Sequence, residues 1–345
     1  MTATKGNHAN ELVTVIMPAR NEEQAIGAAL ASVLGQTYRE LQFVVIEGDS
    51  TDRTRSIIEE RQAQDSRVEI LTNPVPNIAV SLNLGLAAAR GRWLVRVDAH
   101  STVPPTYVAD LVARLREGTW AGVGGLKPGV GVTPAGRAIA AAMSSRFGVG
   151  NSKYHYATTE LEVDHLPFGA YPVDLLRDVG GWDERLVANE DYELDYRLRS
   201  RGGRLLLDPR VVIAWQCRQS VPDLYRQYVR YGKGKADVAL LHPTSLSARH
   251  VVAPALVAWL SLAALRAGRH PGQAALMVSP YVAGVAVATR QTRRALEHDA
   301  DWTHLPAAFA AMHVGWGYGF WSGLARGLMR RRIPKTGDEP APPPP

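Results

Sequence analysis

Apolar and polar positions follow two alternating rhythms over the first hundred residues. The run LVTVIMPA (12–19) is apolar almost throughout, as a strand covered on both faces must be, and is followed by a segment that sets Ile26, Leu30 and Val33 on one helical face. Asn21 is placed to cap that helix. A second strand is expected at LQFVVI (41–46), followed by the loop EGDSTDRT, where Ser50 or Thr51 can cap the next helix. VEIL (68–71), a helix from about Ile78 to Ala89, and WLVRV (93–97) continue the series. Strand, helix, strand, helix predicts an α/β fold with a doubly wound, mostly parallel sheet. Ligands of such sheets sit at the carboxyl ends of strands, and WLVRV stops at such an end with Asp98 and His100 one residue apart.

Beyond Ala236 the rhythm is lost. VVAPALVAWLSLAAL (251–265), GQAALMVSPYVAGVAVA (272–288) and LPAAFAAMHVGWGYGFWSGLARGLM (305–329) are apolar without a clear amphipathic period. The first two fall short of the roughly 20 residues of a membrane span. Spans, helices in the membrane plane and a soluble helical cap all remain open, while the flanks RAGRH, RQTRR and MRRR favour anionic lipid on the cytosolic side. Membrane association is the expectation. The organisation read from these patterns is a disordered start (1–10), an α/β domain (11–235), an apolar helical region (236–332) and a disordered proline-rich tail (333–345).

Composition narrows the chemistry. With 345 residues, 46% hydrophobic and 21% charged, the chain can bury a full core. A net charge of +6 is compatible with nucleic acid, anionic lipid or an anionic substrate, but aromatic residues do not interleave with the basic ones in an RNA-binding pattern, so no nucleic-acid partner is expected. The single cysteine, Cys217, excludes an internal disulfide and a cysteine-rich metal site. The polar start MTATKGNHAN lacks the apolar core of a signal peptide, which places the amino terminus in the cytosol. Neither a G-x-G-x-x-G turn after the first strand nor a G-x-x-x-x-G-K-[ST] loop is present, which removes the main support for dinucleotide and P-loop readings. The loop holding Glu47, Asp49 and Asp52 is too acidic to cradle phosphate and suits a base or ribose; a diphosphate here needs a cation. Asp98 and His100 can hold one face of Mn²⁺ or Mg²⁺ and leave positions for phosphate oxygens.

Plainer roles compete at each position. An Asp-x-His after a strand can be a turn with a capping group. NEDYELDYRLRSRGG has the acidic first turn and basic last turn that any helix dipole favours. Asp52 reads best as a helix cap, Arg96 as an ion-pair partner, and GVGGLKPGVG (122–131) as a strand end with a flexible turn. Arg226, Arg230, Lys233 and Lys235 form either a solvated helix face or a contact for phosphate.

In sequence order, VTVIMPARNEEQAI, VVIEGDSTDRT, RWLVRVDAH, FGAYPVDLLRDVGGWDERLVANEDYELDYRLRSRGG and RQYVRYGKG resemble the family 2 glycosyltransferases of GT-A fold, and among them the ExoA-type enzymes of succinoglycan biosynthesis. The resemblance implies binding of a nucleotide-sugar, with UDP as the expected nucleotide, by Pro18, Ala19, Arg20, Glu22, Glu47, Asp49 and Asp98, with Glu47 favoured over Asp49 for uridine. It sets Asp98 and His100 at the family's D-x-D, with histidine for the second acid; polypeptide N-acetylgalactosaminyltransferases carry a similar D-x-H that binds manganese. Asp191 corresponds to the general base, Glu190 to its neighbour, and Gln227, Arg230 and Tyr231 to Q-x-x-R-W on the acceptor or diphosphate side. Tyrosine in place of tryptophan bears against processive synthesis. The implied reaction is inverting sugar transfer at the cytoplasmic face of the cell membrane to a polyprenyl-linked saccharide. Alternatives are a sugar-nucleotide nucleotidyltransferase, whose glycine-rich first loop is replaced here by PARNEEQA, and a non-catalytic membrane-bound scaffold.

Overall fold

The computed structural model describes residues 11–296 and 299–332. The segments expected to be disordered, 1–10 and 333–345, lie outside the described residues. In chain order the strands are β1 (Val13–Ala19), β2 (Leu41–Glu47), β3 (Val68–Thr72), β4 (Trp93–Arg96), β5 (Ser101–Thr102), β6 (Gly122–Leu126), β7 (Gly129–Val130), β8 (Leu161–Val163), β9 (Ala170–Pro172), β10 (Leu205–Val212) and β11 (Ala214–Gln216).

Eight of them form one sheet in the order β3-β2-β1-β4-β9-β6-β10-β8, and β5-β11-β7 form a small second sheet beside it. The pairs β3-β2, β2-β1, β1-β4 and β6-β10 are parallel, whereas β9 runs antiparallel between β4 and β6 and β8 runs antiparallel on the edge. β1 sits inside the parallel half, which explains its almost wholly apolar run: Val15 and Met17 feed the core on one face and Ile16 the core on the other. Its one buried polar side chain is satisfied, because Thr14 Oγ1 donates to Gln42 Oε1 (2.8 Å) and accepts from Gly91 N (2.9 Å).

The helix caps differ from expectation in two places. Asn21 does not cap the first helix, Ile26–Leu34; at φ 54° it accepts from Thr51 N through Oδ1 (2.9 Å) while its own N–H donates to Ser50 Oγ (3.1 Å), tying the loops after β1 and β2 together. Neither Ser50 nor Thr51 caps the Thr54–Gln64 helix. The N-cap position is held by Arg53, and the side chain that accepts from the first helical N–H, Thr54 N (2.9 Å), is that of Asp52 just before it.

The Val221–Leu241 helix runs unbroken across residue 235, so the boundary expected there falls inside a helix. Beyond it, the helices Ala248–Ala267 and Pro271–Thr292 extend past the apolar runs read from sequence and are long and apolar enough to cross a membrane by length and composition. The apolar core of each is only 17% buried, with Val252, Leu265, Leu276 and Val282 facing outward. The last helix, Leu305–Arg332, lies between this pair and the Val221–Leu241 helix. Gly315, Gly319 and Gly323, four apart on one face, let its backbone meet that of the earlier helix: a Cβ at Gly319 would stand 2.2 Å from Val229 O.

Candidate active site

Three loops and two helices converge at the carboxyl end of β1, β2 and β4. The loop after β1 carries Arg20 and Glu22, and Pro18 and Ala19 stand opposite Ile46 and Glu47 in the β1–β2 register. Glu47, buried at the end of β2, accepts from Ser50 N (2.7 Å), and Arg55 Nη1 lies 3.5 Å from its other oxygen. The carboxylate therefore shapes its own loop, whose next acid, Asp49, is left-handed at φ 57°.

The turn after β4 holds the Asp-x-His. Arg96, 4% exposed, donates through Nε to Asp98 Oδ1 (2.9 Å) and through Nη1 to Glu190 Oε1 (3.3 Å) and Asp191 Oδ2 (2.5 Å). Three carboxylates, two of them 94 and 95 residues from Arg96 along the chain, thus share one guanidinium. Burial opposes the Asp98 charge, yet the Arg96 guanidinium beside it holds its carboxyl below the usual range. Burial and the adjoining Asp191 charge push Glu190 the other way, upward. Asp191 also accepts from Trp182 Nε1 (2.9 Å), so each of its oxygens has a donor. Both acids open the Glu190–Ser200 helix, where the backbone N–H groups favour negative charge, after Asn189 at φ 64°.

His100 is held from both sides. An indole N–H only donates, so the 2.8 Å contact from Trp215 Nε1 fixes the His100 Nε2 lone pair as acceptor, and the ring proton on Nδ1 then donates to Glu22 Oε1 (2.9 Å). This brings together Glu22 from the first loop and His100 from the fourth strand's turn. Among the described residues no group of three or more His, Cys, Asp or Glu side chains is set to hold a metal by itself. The donor pair nonetheless fits a divalent ion: a carboxylate and an imidazole suit Mn²⁺, and Ser101 Oγ beside them is buried without a hydrogen-bond partner. Using Nε2 as a ligand requires Trp215 to let it go.

Gln227, Arg230 and Tyr231 lie on the Val221–Leu241 helix. Gln227 Nε2 donates to Tyr231 Oη (3.1 Å), its Oε1 is buried without a partner, and Arg230 lies 6.0 Å from the Tyr231 ring centre. Asn189 Nδ2 donates to Tyr231 O (2.8 Å), which fastens this helix to the start of the one carrying Glu190 and Asp191. Sequence reasoning assigned no role to Trp182, Trp215, Phe168 or Lys127. Trp182 stands inside the quoted GGWDERL, but nothing local marks its partner. The Lys127 ammonium lies 4.1 Å from the Trp215 ring centre and 4.3 Å from that of Phe168.

Residues 14–172 match the family described as Glycosyl transferase family 2. The chain is 30% identical over 336 residues to the Succinoglycan biosynthesis protein ExoA of Rhizobium meliloti (strain 1021), covering 92% of this chain and 96% of that one. Over a shorter stretch, 89 residues and 26% of this chain against 34% of the relative, it is 39% identical to the UDP-Glc:alpha-D-GlcNAc-diphosphoundecaprenol beta-1,3-glucosyltransferase WfgD of Escherichia coli. Among solved structures, the mannosyltransferase PcManGT from Pyrobaculum calidifontis, in complex with GDP-Man and Mn²⁺, superposes with a TM-score of 0.59 at 19% identity over 89% of this chain and 87% of that one. The sheet order and this likeness give the GT-A fold, and the chain belongs to glycosyl transferase family 2.

Proposed function

We propose that this glycosyltransferase carries out inverting transfer of a sugar from a nucleotide diphosphate, with UDP the favoured nucleotide, to a hydroxyl of a polyprenyl-linked saccharide at the cytoplasmic face of the cell membrane. The observation that carries this reading is the meeting of Asp98 with Glu190 and Asp191 on Arg96, which sets the Asp-x-His turn against the start of the acidic helix. The E. coli relative is named for a UDP-sugar and a diphosphoundecaprenol acceptor, and the two outward apolar helices give this chain a means of meeting such a lipid.

In this reading Pro18, Ala19, Arg20, Glu22, Glu47 and Asp49 line the nucleotide side, and Glu47 keeps its loop shaped for the uridine. Asp98 and His100 would hold Mn²⁺ or Mg²⁺, which neutralises charge on the diphosphate. Asp191 takes the proton of the attacking hydroxyl; its Oδ2 leaves Arg96 to do so, and Trp182 keeps Oδ1 in place. Arg96 remains bonded to Asp98 through Nε during that exchange. Glu190, with its carboxyl pushed upward, supports rather than replaces the base. Gln227, Arg230 and Tyr231 border the acceptor or diphosphate.

The test is release of nucleoside diphosphate by the full chain in detergent, with UDP- and GDP-sugars, polyprenyl-diphosphate saccharides, and Mn²⁺ or chelator. Acceptor-dependent release of UDP with inversion at the anomeric carbon is the expected result. Formation of a sugar nucleotide from a sugar phosphate and UTP would overturn the reading in favour of a nucleotidyltransferase, and no turnover with any donor would favour a scaffold.

A further inference from the structure

Lys127 follows β6 directly, and its backbone N–H donates to Tyr154 O (2.8 Å). Its ammonium has an unusual setting. Arg96 is saturated by three carboxylates, whereas among the described residues no oxygen accepts a hydrogen bond from Lys127 Nζ and no carboxylate pairs with it. Its direct contacts are the ring faces of Trp215 and Phe168, while the Asp98, Asp191 and Glu190 carboxylates attract it from beyond pairing distance. Both rings are anchored independently. Trp215 is tied to His100 through its indole N–H. Phe168 stands in the left-handed region at φ 55°, a strained conformation for a bulky residue, in a loop fixed by Leu166 N donating to Asp195 Oδ2 (2.7 Å) and by Arg96 N donating to Gly169 O (3.3 Å). Arg96 itself lies 5.4 Å from the same Phe168 ring.

Ring faces stabilise a cation without using its N–H groups as hydrogen-bond donors to an oxygen. A partly desolvated ammonium in that state has donors to give, and the Trp215–His100 bond sets it next to the Asp-x-His turn. We propose that Lys127 is a second cation of the donor site, donating through Nζ to a phosphate oxygen of the nucleotide diphosphate and stabilising the charge that grows there as the sugar departs. The proposal rests on the nucleotide-sugar reading above. It gives Lys127 a contact with substrate, not merely a place in the packing of β6.

The experiment is calorimetry on the full chain in detergent, titrating UDP, GDP, uridine and guanosine, each with Mn²⁺ and with chelator, into wild type, Lys127→Met and Lys127→Arg. The expected result is a loss of diphosphate affinity on the order of 10- to 100-fold in Lys127→Met, persisting with chelator, nucleoside affinity within about twofold of wild type, and partial recovery in Lys127→Arg. Equal weakening of nucleoside and diphosphate would make the cage purely structural and overturn the proposal, as would an unchanged diphosphate affinity. A wild type that binds neither UDP nor GDP overturns the nucleotide-sugar reading itself, which separates the two failures. A second measurement avoids any folding defect of the variants: acylation of Lys127 in wild type, followed by peptide mass spectrometry, should be slowed by UDP and not by uridine. Identical labelling with and without UDP would overturn the proposal.

Discussion

Arg96 Nη1 lies 2.5 Å from Asp191 Oδ2, joining the last residue of β4 to the first turn of a helix 95 positions later. Because Trp182 donates to the other oxygen, both partners of Asp191 are donors. Asp191→Asn therefore keeps the size of the side chain but turns an amide N–H toward either Arg96 or Trp182. The expected outcome is a turnover lower by ~10²–10⁴, with UDP and Mn²⁺ affinity near wild type, and a stability cost of about 1–3 kcal/mol. Glu190→Gln should lose less turnover, and Asp98→Asn should lose metal-dependent UDP binding as well. Turnover and UDP affinity measured for all three variants check the assignment; near-normal turnover by Asp191→Asn would move the base elsewhere.

Trp215 and His100 make opposite predictions for the metal. Trp215→Phe keeps a ring face for Lys127 but removes the N–H that occupies His100 Nε2, so Mn²⁺-dependent UDP affinity should rise about 2- to 10-fold. His100→Ala should lower it, and His100→Asp should restore part, since carboxylate also suits Mn²⁺. Calorimetry of UDP with and without Mn²⁺ reads all three. The same metal dependence in His100→Ala as in wild type would remove histidine from the site.

The outward faces of the two apolar helices give a test of membrane insertion. Leu276→Arg combined with Val282→Arg puts two charges on side chains 74% and 57% exposed, so neither disturbs the protein core. Sedimentation with anionic vesicles should fall sharply while the thermal midpoint in detergent holds. Release of the wild type from vesicles by high salt alone would mean electrostatic attachment and would sink the insertion reading.

Gly319→Ala addresses the helix that links those faces to the Gln227–Tyr231 segment. The added methyl meets the Val229 carbonyl, which is backbone and cannot swing aside. Overpacking of this kind costs about 1–3 kcal/mol, to be read as a lower midpoint in chemical denaturation. Gly272→Ala, with open space around the same methyl, should cost no such amount and serves as the control.

Lys235, 3% exposed, predicts a pH slope. Its ammonium lies 3.6 Å from the Tyr192 ring centre and donates to Ser245 O (3.2 Å), but burial pushes it down to about 7. Between that value and the ordinary range near 10.4, the unfolded chain binds the proton and the folded one does not. Stability should therefore climb as pH rises through this window and lose that contribution as pH falls to about 7. Thermal unfolding across pH 6.5–10 should show the slope in wild type and a flatter profile in Lys235→Met. Identical profiles would place the effect on another group.

What could be read along the chain is what consecutive residues encode. The mostly apolar runs of β1 and β2, the periodic helices between strands, and the position of Asp98 and His100 at a strand end all follow from local pattern, because period and burial are properties of neighbouring side chains. The caps were less legible. Asn21 has a helix-capping side chain, yet the helix begins only at Ile26 and the bonds of Asn21 go to Ser50 and Thr51. The span lengths also escaped, since the apolar cores of the Ala248–Ala267 and Pro271–Thr292 helices are shorter than the helices themselves.

Tertiary structure alone decided the rest. AYP (170–172) is too short to announce a strand, and it pairs antiparallel between β4 and β6 because the sheet supplies both its neighbours. Arg96 reads in sequence as an ion-pair partner, but which acids it pairs with depends on a helix that begins at residue 190. His100 gains its tautomer from Trp215, and Lys127 its ring cage from Trp215 and Phe168, across separations that no periodicity spans. Local sequence fixes which face a residue presents; the charge and hydrogen-bond partners it meets there are set by packing between distant segments, and with them the chemistry of the site.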